Sequence, residues 1–154
     1  SDNAAFIQTG VSISLASCAP DGLPSMNRGL GCKLVDDGWQ VGVFLRRSQS
    51  LALLDNIRSS GRIANVFSLP SSNRTLQLKG SDARIVPFAP EDLPIIERHI
   101  ADFVREVVPL GMPEAVVRAI LAYSPDDLVT VTYSPCAAFS QTPGPKAGEP
   151  LAPR

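Results

Sequence analysis

Apolar residues recur at every second position from Val11 to Leu15 among β-branched neighbours. This period predicts a strand over residues 11–19 with one face buried. Asp21-Gly22 has the composition of a hairpin turn, and a second strand follows over residues 25–35. Asp36 to Gly38 makes another turn and residues 39–45 (WQVGVFL) a third strand, so the first elements read as an antiparallel meander. The period then lengthens. Leu51, Leu54 and Ile57 share one side of a short helix that Ser48 or Ser50 can cap and Gly61 can close. Residues 62–69 return to a strand, 70–73 are a loop, and 74–88 read as one longer strand bent or bulged at Gly80.

From Pro90 the chain is helical, with Leu93, Ile96, Ile100, Phe103, Val104 and Val107 in one apolar stripe. PLGMP breaks this helix, and Pro113 suits the first turn of a second one ending near Tyr123. Residues 126–139 predict the last strand, and a Pro/Gly-rich tail without a core pattern follows, from about residue 141 to 154. The opening SDNA carries no pattern. No repeat divides the chain, so residues 1–154 read as one domain. Antiparallel strands with one inserted helix, and a helical pair before the last strand, predict a mainly β, α+β fold: a small antiparallel barrel.

Composition narrows the function. The 154 residues are 44% hydrophobic, enough for a real core. A formal net charge of -1 gives no electrostatic argument for nucleic acid or an anionic membrane. No apolar run reaches the ~20 residues of a membrane helix, and no leader pattern opens the chain. Cys18, Cys32 and Cys136 are scattered and form no CxxC pair. They read as buried or half-buried thiols in a reducing compartment, so a cytoplasmic protein is expected. The single His99 cannot build a His-rich metal site, and no metal is expected.

Gly29 and Gly31 stand inside the second predicted strand, where glycine packs nothing and loses most entropy on ordering. Either a flat group approaches the backbone there, or the glycines mark a barrel corner. Arg46, Arg47, Ser48 and Ser50 precede a predicted helix start, whose unpaired N–H groups and positive dipole end suit a phosphate. An exposed loop with an ordinary serine cap has the same composition. Arg28 can meet an anion, whereas Lys33 reads as part of a solvated face. Thr75 and Gln77 alternate along one strand face and can hydrogen-bond a ligand. Cys32 reads as a small buried residue, His99 as a partly exposed packing residue, and Trp39 as core or interface.

In order and spacing, these residues resemble the pyridoxamine 5'-phosphate oxidase-like, FMN-binding split β-barrel family over about residues 11–85. ASCAPDGLP is similar to that family's first strand and Asp-Gly-x-Pro turn. RGLGCK (28–33) falls where the oxidases carry an Arg, aliphatic residues and a Lys along the flavin. VFLRRSQSLALLDNIRSSGRI resembles their strand, phosphate loop and helix, and NRTLQLKG the strand whose start approaches the flavin. The oxidases have Tyr-Thr where this chain has Phe44-Leu45, and Ser-Arg-Lys where Ser50 is followed by Leu51-Ala52.

The resemblance implies a split barrel that binds FMN, with the ring against the backbone of residues 28–32. Its implied cofactor residues are Arg28, Gly29, Leu30, Gly31, Leu45, Arg46, Arg47, Ser48, Ser50, Leu51, Thr75 and Gln77. It further implies a homodimer with FMN at the subunit interface, a small-molecule substrate, and two-electron redox chemistry carried by the flavin. No side chain stands out as a catalytic acid or base. The alternative is a non-catalytic module binding flavin, haem or deazaflavin on the same fold. A nucleic-acid-binding barrel is disfavoured by charge and by the lack of an aromatic and basic strand face. Residues 139–151 are either a tail ordered over the barrel or a flap reaching a partner subunit. Valine at position 29 or 31 is expected to block the ring while leaving the apo protein as stable or more so.

Overall fold

The computed structural model describes residues 1–152, and the last two residues of the predicted tail lie outside the described residues. A short helix α1 (Asp2–Phe6) leads into β1 (Ser12–Cys18), β2 (Pro24–Arg28), β3 (Cys32–Val35) and β4 (Gln40–Arg46). Helix α2 (Leu51–Ser60) precedes β5 (Ile63–Ser68), β6 (Thr75–Gly80) and β7 (Arg84–Pro87). Helices α3 (Leu93–Val107) and α4 (Glu114–Ile120) are followed by β8 (Leu128–Tyr133), β9 (Ala137–Ser140) and β10 (Glu149–Pro150). The strands form two antiparallel sheets, ordered β10-β9-β6-β5-β1-β2 and β3-β4-β8-β7. The architecture is the predicted α+β split barrel: two sheets enclose a core without closing into one ring.

Three predicted strands are each two strands, one in either sheet. Residues 25–35 divide into β2 and β3, 74–88 into β6 and β7, and 126–139 into β8 and β9. The meander is therefore split between sheets. At the first crossing the Gly29 N–H still donates to the Ile13 carbonyl of β1 at 2.9 Å. One residue later the Leu30 N–H donates to the Phe44 carbonyl of β4, and the Phe44 N–H returns to the Gly31 carbonyl. The pairing partner changes between residues 29 and 30, and Gly31 takes φ +154°. A β-carbon on Gly29 would lie 2.8 Å from both Ile13 Cγ2 and Val43 Cγ1, in the barrel interior. The glycine lets the two sheets approach at the corner. At the second crossing, a β-carbon on Gly80 would lie 2.9 Å from the Tyr133 ring.

The larger core fills the space between the sheets and is plugged by Leu53, Leu54 and Ile57 of α2. Gly61 closes that helix in the left-handed conformation at φ +66°, as its position predicts. A second cluster lies on the other side of the four-stranded sheet, where Leu30, Phe44 and Leu128 meet Ile96, Ile100 and Val104 of α3 and Val117 of α4. Both faces of β8 are consequently covered, and its six residues are all buried. The chain start is not inert: Phe6 and Ile7 enter the larger core, and Arg74 bonds Asp2 and Asn3. The tail adds β10 to the edge of the six-stranded sheet, pairing Glu149 with Ser140 and Pro150 with Phe139. Cys18 and Cys136 are exposed, contrary to expectation, because each sits at a strand end outside either core. Trp39 is 73% exposed at the β3–β4 turn and so is not core. Among the described residues no helix is long and apolar enough to cross a membrane.

Candidate functional site

The inner face of the six-stranded sheet is core, while the outward residues of its central strands are half-buried. Strand register sets the residues of that outer face in rows. Ser14 pairs with Arg28 on one side and Val66 on the other, and Val66 with Gln77, which pairs with Phe139. The next row runs Met26, Ala16, Ala64, Lys79 and Ala137. The centre of the face is therefore built of small side chains (Ser14, Ala16, Ala64 and Val66), and its edges carry Arg28, Met26, Gln77, Lys79 and Phe139. Such a surface admits a flat group against the strands. Arg28 is half-buried: it donates to Ser12 Oγ at 3.3 Å and lies 5.9 Å from the centre of the Phe103 ring. Met26 is 70% exposed beside it.

The loop from β4 to α2 meets the β2 edge from the inner side of the sheet, where Asn27 pairs with the buried Leu15. Asn27, next to Arg28, donates from its amide to the Gln49 carbonyl at 2.6 Å and to Ser50 Oγ at 2.7 Å. Ser50 is buried and stands before Leu51, yet its hydroxyl makes no capping bond to the helix. The first N–H groups of α2 are left for another acceptor. Arg47 is exposed at the loop. Ser48 is held by Asp127, which accepts from the Ser48 N–H at 2.9 Å and from its hydroxyl at 2.5 Å. These bonds hold the Asp127 carboxyl below the usual carboxylate range.

Arg46 behaves differently from its neighbour. It is 7% exposed and donates from Nη1 to the carbonyls of Ile120 (2.8 Å) and Ala122 (2.9 Å), closing the end of α4. Its Nε is buried without a partner. Burial lowers its pKa, helped by the nearby Arg28 charge.

The structure thus gathers part of the sequence-predicted set and separates the rest. Arg28, Thr75 and Gln77 lie on the outer face, while Ser50 is tied to Asn27 on the inner side of the β2 edge and Arg47, Ser48 and Leu51 are exposed around it. Gly29 and Gly31 lie at the corner between sheets, with Ile13 and Val43 filling the space beside Gly29. The Leu30 and Leu45 side chains are buried in the two cores, so only their backbone could face a ligand. Lys33, read as solvated, instead pairs with Asp92 at 2.6 Å and ties β3 to the start of α3. Cys32 is buried as expected, and burial pushes its thiol up to about 12. His99 is more buried than expected, and burial lowers its pKa to about 4. Two surface hollows, near Tyr123 (about 310 Å³) and near Asp102 (about 500 Å³), are lined by none of the expected cofactor residues.

Sequence reading missed Asn27 and Asp127, which anchor the loop, and the small residues at the centre of the face. Asn27 carried a signal, since it occupies a polar position inside a strand. Asp127 carried none, because it lies 79 residues from Ser48.

The residues present fit a flavin mononucleotide in two respects. The face of small residues matches a planar ring, and the open helix start with Arg47 matches a phosphate. Arg46 is already committed to α4, and Asp127 adds a negative charge at Ser48, so fewer groups remain for the phosphate than the sequence suggested.

No family model and no curated protein matches the sequence. Solved structures do match the fold. An F420 reductase aligns at TM-score 0.57 and 19% identity, over 87% of this chain and 93% of its own. HupZ of Group A Streptococcus aligns at TM-score 0.56 and 14% identity, over 96% of this chain and 97% of its own. A pyridoxamine 5'-phosphate oxidase-related, FMN binding protein of Nostoc punctiforme aligns at TM-score 0.50 and 13% identity, over 94% and 89%. With its two half-open sheets and the connections between them, the chain has the split-barrel fold of the pyridoxamine 5'-phosphate oxidase-related proteins.

Proposed function

We propose that the chain binds FMN on the outer face of the six-stranded sheet and works as an FMN-dependent oxidoreductase on a small molecule. One observation carries the reading. Arg28 borders a flat, small-residue face at the β2 edge, and the same edge holds, through Asn27, a helix start left without its own cap. The α2 N–H groups and Arg47 would hold the phosphate, and Gln77 would donate to a polar edge of the ring. Arg28, steadied by Ser12 and Phe103, supplies a fixed positive charge at the β2 edge. Bound there, FMN would supply two-electron redox chemistry. A ring on this face of one protomer would leave its other side in water, so we further propose a homodimer in which a second copy covers it. A deazaflavin is the second reading, favoured by the alignment to an F420 reductase.

Titration with FMN, riboflavin and F420 tests the reading. FMN should bind well above riboflavin. Arg47→Ala should weaken FMN about tenfold or more, since a charge-assisted contact contributes ~1.5–3 kcal/mol, and leave riboflavin unchanged. Sedimentation should give twice the 16.4 kDa chain mass. Equal binding of FMN and riboflavin would remove the loop from the site, and binding of F420 alone would select the second reading.

A further inference from the structure

The Asn27 amide is locked by backbone groups at both of its ends. Its Oδ1 accepts from the Arg28 N–H at 2.8 Å, and its Nδ2 donates to the Gln49 carbonyl at 2.6 Å. A backbone N–H can only donate and a backbone carbonyl can only accept, so turning the amide over would lose both bonds and set like against like. The orientation of Asn27 is therefore decided without Ser50. Nδ2 also meets Ser50 Oγ at 2.7 Å, and in that contact the serine has to be the acceptor.

Ser50 is 2% exposed and directly precedes Leu51, the first residue of the ten-residue helix α2. Its oxygen is engaged by Asn27, while its proton has no acceptor among the described residues. A buried hydroxyl proton without a partner is costly. Beside it, the first N–H groups of α2 have no side-chain cap. We infer that Asn27 is a positioning residue: by taking a lone pair of Ser50 it leaves the serine to donate, together with the open N–H groups of α2, to an acceptor on the ligand. The ligand class is an oxyanion, and a group that must itself donate at this point is not matched. This inference rests on the flavin reading, in which that acceptor is an oxygen of the FMN phosphate.

The decisive quantity is the cost of Ser50→Ala, read as FMN and riboflavin affinities with a urea midpoint for each variant. In the wild type it should weaken FMN about tenfold, as one hydrogen bond to a charged group does, and leave riboflavin unchanged. In the Asn27→Asp background the new carboxylate keeps the Arg28 bond but accepts the Ser50 proton, so Ser50→Ala should cost less than about twofold there. The added charge stands on both sides of that comparison and cancels. Asn27→Leu serves where Asn27→Asp does not fold or bind: with no amide to hold it the hydroxyl turns freely, and Ser50→Ala should cost about threefold or less. An equal cost of Ser50→Ala in the wild type and in either background overturns the inference, because Asn27 would then not direct the proton. So does a Ser50→Ala protein with wild-type FMN affinity, or one that loses FMN and riboflavin alike, which would mean loop packing. These outcomes leave the wild-type preference for FMN over riboflavin intact, whereas a wild-type chain that binds the two equally overturns the phosphate reading itself.

Discussion

Gly29→Ala isolates what the corner costs. The new methyl would start 2.8 Å from Ile13 Cγ2 and from Val43 Cγ1, and both side chains are 0% exposed, so neither can swing into solvent. Overpacking of this kind costs ~1–3 kcal/mol, against which a more restricted unfolded chain returns ~0.4–1 kcal/mol. The net loss should be about 1–2 kcal/mol, or roughly 2–4 °C in Tm for each kcal/mol in a protein of this size. That reverses the expectation that a larger residue here is neutral or stabilising. Urea denaturation followed by circular dichroism measures it. Val43→Ala removes one of the two colliding methyl groups, so the double variant should be less destabilised than the sum of the single ones by about 0.5 kcal/mol or more. Gly31→Ala is the control. Its β-carbon meets nothing nearer than 3.4 Å, but the residue sits at φ +154°, so its cost is conformational and Val43→Ala should not relieve it. A Gly29→Ala protein as stable as the wild type, or strict additivity with Val43→Ala, would refute the steric account.

Arg46→Met should leave the Ile120 and Ala122 carbonyls without their donor and lower stability by about 1–3 kcal/mol for each, measured by urea midpoint. Wild-type stability would show that α4 does not depend on this contact. His99 is held neutral chiefly by burial, which outweighs the Thr9 backbone bond and the Asp102 charge, while the Arg28 charge acts with burial. Its pKa of about 4 lies below the ordinary 6.5, so the unfolded chain takes up the proton first. Stability should be complete above 6.5 and fall by about 1.4 kcal/mol per pH unit as pH drops toward 4. His99→Gln should flatten that dependence, and an equal slope in both proteins would refute it.

The alternation of Val11, Ile13 and Leu15, and the stripe from Leu93 to Val107, were enough to place strands and helices, because both record which face of a local element is buried. The resemblance over residues 11–85 named the fold from the order of those elements and their turns. What the alternation could not express is which sheet a strand joins. A period of two continues unchanged across a corner, so residues 25–35, 74–88 and 126–139 each read as one strand although each crosses from one sheet to the other. Gly29 and Gly80 marked two of these corners. Their reason is contact with Val43 and Tyr133, which no local pattern contains. The site divides in the same way. Arg28, Gln77 and the helix start near Ser50 were legible as polar groups placed on strands or before a helix. Adjacent Arg46 and Arg47 looked alike, and only a contact 74 residues away commits Arg46 to the end of α4 while Arg47 stays exposed. Likewise, only the return of the tail along β6 brings Gln141 to Gln77. Local sequence carries periodicity and residue chemistry, while pairing partners, sheet membership and the burial of a charge are set by contacts between distant segments.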